Sequence, residues 1–162
     1  MSTPPDNSAP EADEIRQQVV DSLLANAPSD WAEIQLDFRA SSTICQAEVS
    51  GSVLSGSPLL MPPPDGTTGR LKALRAVMFE PGRGTWFSLH LGVQRGGSPQ
   101  YRFNYTDDPH WRPPVAPTVF TLDQERFPRD DQYIPDWLRE RLAAGAAMER
   151  DFQQREAGTG DA

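Results

Sequence analysis

The most regular pattern of apolar and polar positions in the chain lies in residues 85–106. Phe87, Leu89, Leu91 and Val93 alternate with other residues, and Tyr101, Phe103 and Tyr105 resume the alternation after Gly96, Gly97 and Ser98. A period of two in two runs joined by a glycine-containing turn predicts a β-hairpin with one buried face. Ile34, Leu36 and Phe38 alternate within 31–38, and Cys45, Ala47 and Val49 alternate within 44–53, with a polar turn at 40–43. These two runs predict a second hairpin.

Elsewhere the period lengthens. Ile15, Val19 and Leu23 recur every four residues with Leu24 beside them, and Glu11, Asp13 and Glu14 lie where a helix dipole is positive. Pro28 ends this N-terminal helix. Leu71, Leu74 and Val77 predict a central helix, stopped by Pro81 and Gly82. Ile134, Leu138 and Leu142 predict a C-terminal helix over 134–152, with Pro135 in its first turn. A further short strand is expected at 119–122. Residues 55–69 are Gly-, Pro- and Ser-rich and predict a long loop, with Leu59, Leu60 and Met61 packing over the sheet edge in preference to contacting a partner. The four prolines of 107–117 predict a stiff, irregular excursion. The expected fold is α+β: a single domain in which the N-terminal, central and C-terminal helices pack on an antiparallel β-sheet. Residues 1–10 are expected to be a disordered tail, 11–154 the domain, and 155–162 a frayed tail.

Length and composition narrow the setting. A chain of 162 residues suits one core, and 37% hydrophobic with 23% charged residues is ordinary for a soluble protein. No apolar run approaches the roughly 18 residues of a membrane span. The first fourteen residues have neither the basic region nor the apolar stretch of a secretory signal. The single cysteine, Cys45, allows no internal disulfide and lies in an apolar strand pattern that predicts an inert thiol. A cytoplasmic location is expected. The net charge of −8 is uneven: residues 1–37 hold one Arg against eight acids, whereas residues 38–100 hold six Lys/Arg against three. Such a chain repels nucleic acid and attracts basic protein surfaces, chiefly through the association rate.

Candidate chemistry is sparse. His90 shares a strand face with Ser88, but the i, i+2 spacing leaves their side chains roughly 7 Å apart, too far for a nucleophile–base pair. His110 with Asp107 and Asp108 gives too few ligands for a closed zinc site. Asp107/Asp108 and Asp130/Asp131 are adjacent carboxylates in polar loops, better suited to turns and caps than to a glycosidase pair. The glycines lack the context of a phosphate-binding loop, and the arginines form no basic groove. No enzyme activity, metal or cofactor is expected. What stands out is an aromatic–acidic stretch: Trp111, Phe120, Phe127, Tyr133 and Trp137 interleaved with acids and prolines. Aromatic residues ringed by polar ones are the composition of interface hot spots. The expected partner-binding residues are therefore Tyr105, Asp107, Asp108, His110, Trp111, Asp130, Asp131 and Tyr133.

The strings GTWFSLHL, FNYTDDPHW and DQERFPRDDQYIPDWL together resemble the YezG-like immunity (antitoxin) family that accompanies bacterial polymorphic toxins. The resemblance spans about residues 70–142 and is nearest to an actinobacterial branch, to which the use of arginine in place of lysine conforms. It implies a small cytosolic α+β protein that binds and occludes a cognate toxin domain without catalysis. Trp86, Tyr105, Asp107, Asp108, Pro109, Trp111, Phe127, Pro128, Pro135 and Trp137 carry the resemblance, either as scaffold or as contact residues. The alternative reading is a secretion-associated chaperone or adaptor, or a self-associating structural protein.

Overall fold

In the computed structural model, which describes residues 9–159, the alternating runs close into one five-stranded antiparallel sheet. Strands β1 (Trp31–Ala40), β2 (Cys45–Val53), β3 (Pro58–Met61), β4 (Ser88–Gln94) and β5 (Gln100–Asn104) lie in the order β3-β2-β1-β4-β5. The register explains why. Leu36 stands opposite Val49 on one side and Leu91 on the other, and Phe38 opposite Ala47 and Leu89. With a side-chain period of two, any one-residue slip would turn these sets toward water, so burial fixes the pairing.

Two helices cover that face. From α1 (Ala9–Asn26) and α2 (Thr67–Val77), Val19, Leu23, Leu71 and Leu74 are fully buried among Ile34, Leu36, Phe38, Leu91 and Trp86. Each such side chain contributes about 1.5–3 kcal/mol of transfer free energy, which makes this cluster the main stabiliser. Gly51 permits β1 and β2 to close beside a register shift between Trp31 and Glu33, because a Cβ there would lie 1.9 Å from the Glu33 carbonyl oxygen.

A second cluster forms around α3 (Thr118–Arg126) and α4 (Asp136–Thr159), where Phe87, Trp111, Phe120 and Leu138 are buried with Trp137 and Leu142 beside them. The fold is thus α+β, with four α-helices among the described residues instead of the expected three. Residues 119–122 are helical, not a strand. Their β-branched and aromatic side chains suggested extension, but the helix sends Phe120 into this cluster while Asp123, three residues on, reaches Arg75. Within the expected 55–69 loop, Pro58–Met61 forms an edge strand, a position that tolerates proline. Leu59 and Met61 pack on the core as expected, whereas Leu60 points outward and is 83% exposed.

The helix ends also differ from expectation. α1 starts at Ala9, and α4 continues to Thr159, past residue 154, through a stretch in which Gln153, Gln154, Arg155, Glu156 and Ala157 favour the helix. Pro135 lies just before α4, its carbonyl accepting the Arg139 N–H at 3.0 Å. The proposed N-terminal tail up to residue 8, and residues 160–162, lie outside the described residues.

Candidate functional site

The sheet face away from α1 and α2 is polar. Glu33, Gln35, Asp37 and Arg39 of β1 share it with Gln46, Glu48 and Ser50 of β2, Ser88, His90 and Gln94 of β4, and Arg102 and Asn104 of β5. Asp37, Glu48, Gln94, Gln100 and Arg102 are exposed. At one end the face is bounded by the proline-rich segment 106–117. Arg39 donates from Nε to the Pro109 carbonyl at 2.6 Å, and Gln46 donates from Nε2 to the Arg112 carbonyl at 2.6 Å. The segment is therefore tied to the strands by side-chain donors rather than by a strand of its own.

Between strands and segment lies a recess of about 320 Å³ lined by Asp37, Arg39, His90, Arg102, Asn104 and Asp108, among others. Asp37 Oδ1 and His90 Nδ1 meet at 2.8 Å across the β1–β4 register. This histidine–carboxylate pair was invisible in the sequence, since it depends on which strand neighbours which. The nearby Ser88 hydroxyl accepts a hydrogen bond from Asn104 Nδ2 at 3.1 Å.

The eight expected contact residues do not form one patch. Trp111 is buried, with 7% exposure, in the second core cluster; its neighbours in sequence are polar, but the chain turns its indole inward. The turn that does so is built from Asn104, whose Oδ1 accepts the Thr106 and Asp107 N–H groups at 3.2 and 2.8 Å. Asp108 Oδ1 then accepts the His110 N–H at 2.9 Å, while His110 takes a positive φ of 54°. Asp107 and His110 are exposed. Asp108 is half-buried beside Arg141 at 3.3 Å and lines the sheet-face recess.

Tyr105 and Tyr133 instead line a different recess, of about 400 Å³, with Glu80, Arg83, Arg129 and Gln132. Asp130 and Asp131 are exposed in the segment leading into it, and Asp131 is held by Arg139 at 2.6 Å. Arg129, which the sequence did not mark, is 8% exposed and donates to the carbonyls of Thr85, Tyr105 and Tyr133 at 2.6, 2.8 and 3.1 Å. Burial pulls its pKa down to about 10, against the attraction of Asp123. Burial likewise raises the Tyr105 phenol, and the Glu80 carboxylate adds to the rise.

Among the described residues, no group of three or more His, Cys, Asp or Glu side chains converges as metal ligands, and no helix is long and apolar enough to cross a membrane. Comparison with known protein families finds no match, and comparison with characterised proteins finds none either.

Proposed function

We propose that this chain is a cytoplasmic immunity protein that binds a cognate secreted toxin domain and occludes it without chemistry of its own. The observation that carries the reading is the outer sheet face. It presents charged and amide side chains from four strands on a backbone whose other side is fully committed to the core. Contacts made there are preorganised, because strand register and core packing fix where each side chain starts, and preorganisation lowers the ordering cost of association. The motifs resembling the YezG-like family support the same reading. Several of them, Trp86, Trp111 and Trp137 among them, act as scaffold that positions the outer surface.

Co-expression tests the proposal. The toxin domain encoded immediately upstream is induced in a bacterial host with and without this protein, and survivors are counted. Rescue together with a stable purified complex is the expected result. Toxicity that persists beside well-expressed soluble protein overturns it and favours the adaptor reading.

A further inference from the structure

The recess lined by Arg83, Arg129, Tyr105 and Tyr133 carries a charge imbalance that the proposed function does not use. Arg129 lies over the Phe87 ring at 4.1 Å and is almost wholly buried, yet the groups that hold it are three neutral carbonyls. Among the described residues no carboxylate forms an ion pair with it. The nearby acid, Asp123, is engaged by Arg75 through both oxygens. Carbonyl dipoles satisfy hydrogen bonds but leave the unit charge uncompensated, and a buried charge is costly until it is paired.

The recess adds a second cation. Arg83 stands over the Tyr133 ring at 5.2 Å, and its own acid, Glu80, is 3.8 Å away, with both side chains more than 60% exposed. An exposed pair at that distance is weak and readily exchanged. Arg83 and Arg129 thus outnumber Glu80 on the lining, in a protein whose net charge is −8. The volume, about 400 Å³, lies at the small end of ligand pockets.

We infer that this recess is an oxyanion site, taking a carboxylate or phosphate group between Arg83 and Arg129 with the rings of Tyr105 and Tyr133 as its walls. The incoming oxygens supply the countercharge that the three carbonyls do not, and charge-assisted hydrogen bonds to a guanidinium are the stronger kind. The inference is independent of the toxin-binding proposal, because it concerns the isolated protein and a small probe.

The test is a titration of the full chain, at constant ionic strength, followed by NMR shifts of the Tyr105 and Tyr133 rings. The probes are inorganic phosphate and N-acetylglutamate, the latter imitating an acidic side chain of a partner. Saturable shifts with at least one probe are expected, weakened about tenfold in Arg83→Gln. Arg102→Gln, on the outer sheet face, should leave them unchanged. Binding of N-acetylglutamate alone assigns the site to a partner's acidic residue; binding of phosphate assigns it to a free oxyanion as well. Shifts that never saturate, or that are equal in Arg83→Gln and the parent, overturn the inference. Arg83 is exposed and outside the core, so loss of folding does not confuse the result.

Discussion

The guanidinium of Arg75 grips the carboxylate of Asp123 with two parallel bonds, Nη1 to Oδ1 at 2.6 Å and Nη2 to Oδ2 at 2.8 Å. The pair joins α2 to α3 and so joins the two core clusters. Arg75 Nε also donates to the Trp86 carbonyl at 2.8 Å, and Asp123 Oδ1 accepts the Ser42 N–H at 2.9 Å. Arg75 is 2% exposed, so removing its partner leaves a buried charge unpaired. Asp123→Ala should therefore cost about 3–5 kcal/mol, the penalty of a stranded buried charge. An apolar replacement of both residues should recover much of that loss. Urea denaturation of the single and double variants measures it, and equal instability of the two would refute the argument.

Trp111 separates scaffold from contact. Trp111→Ala removes a buried indole and should lower stability by about 3–5 kcal/mol, whereas Asp107→Ala, at an exposed side chain, should change it by less than about 0.5 kcal/mol. Thermal melts of the two variants check this. Any loss of toxin protection in Trp111→Ala should accordingly track the amount of folded protein.

Glu48 and Arg102, exposed on the outer sheet face, should behave in the opposite way. Alanine at either leaves stability within about 0.5 kcal/mol. At least one should weaken the purified complex by more than about 1 kcal/mol, roughly fivefold in Kd. Calorimetric titration of folded variants that all bind like the parent would exclude this face as the contact.

Tyr101 gives a pH dependence with a definite sign. Its hydroxyl donates to the Arg16 carbonyl at 2.9 Å, and burial raises its pKa above the ordinary tyrosine value of 10.0, with Arg16 partly opposing the rise. The unfolded chain ionises near the ordinary value and the folded chain only above it. The stability this residue provides is therefore complete below about pH 10 and is lost as pH rises toward the folded value. Tyr101→Phe should flatten the fall of stability above pH 10, measured by denaturant titration in alkaline buffers. A slope identical to the parent's would contradict the assignment.

Gly145 sits inside α4, where alanine would ordinarily add up to about 1 kcal/mol of helix propensity. Here a Cβ would come within 2.4 Å of Thr121 Cγ2 and 3.0 Å of the Pro117 carbonyl. Forcing α3 and α4 apart costs about 1–3 kcal/mol, so Gly145→Ala should destabilise on balance. A raised melting temperature would show that the helices yield.

The readable part of this fold is the part governed by period. Strands β1, β2, β4 and β5 and helix α2 could be read because their buried residues repeat every two or every three to four positions, and the register then follows from burial. α3 is not legible locally because Val119, Phe120 and Thr121 carry strand-type side chains, and what favours the helix lies far off in sequence: the second cluster that receives Phe120, and Arg75, 48 positions away from Asp123. The site was legible in composition but not in arrangement. The acids and tyrosines stand out in the sequence, yet the fold puts Asp108 in one recess and Tyr105 and Tyr133 in another, leaves Asp107, Asp130 and Asp131 outside both, and turns Trp111 inward after a turn around Asn104. The Asp37–His90 pair and Arg129 gave no local signal, since each acquires its surroundings from distant strands and carbonyls.

The alternation along the sheet has an evolutionary corollary. The inward residues are answerable to the helices and to their cross-strand neighbours, while the exposed outward residues Asp37, Glu48, Gln94, Gln100 and Arg102 meet mainly solvent and other outward side chains. Arg39 and Gln46, which hold the segment 106–117, do not share that freedom. These exposed positions can therefore be relettered, one or several at a time, without renegotiating the core. A lineage bearing this sheet can change what its outer face presents at small thermodynamic risk, with its vocabulary on one side of the strands and its grammar on the other.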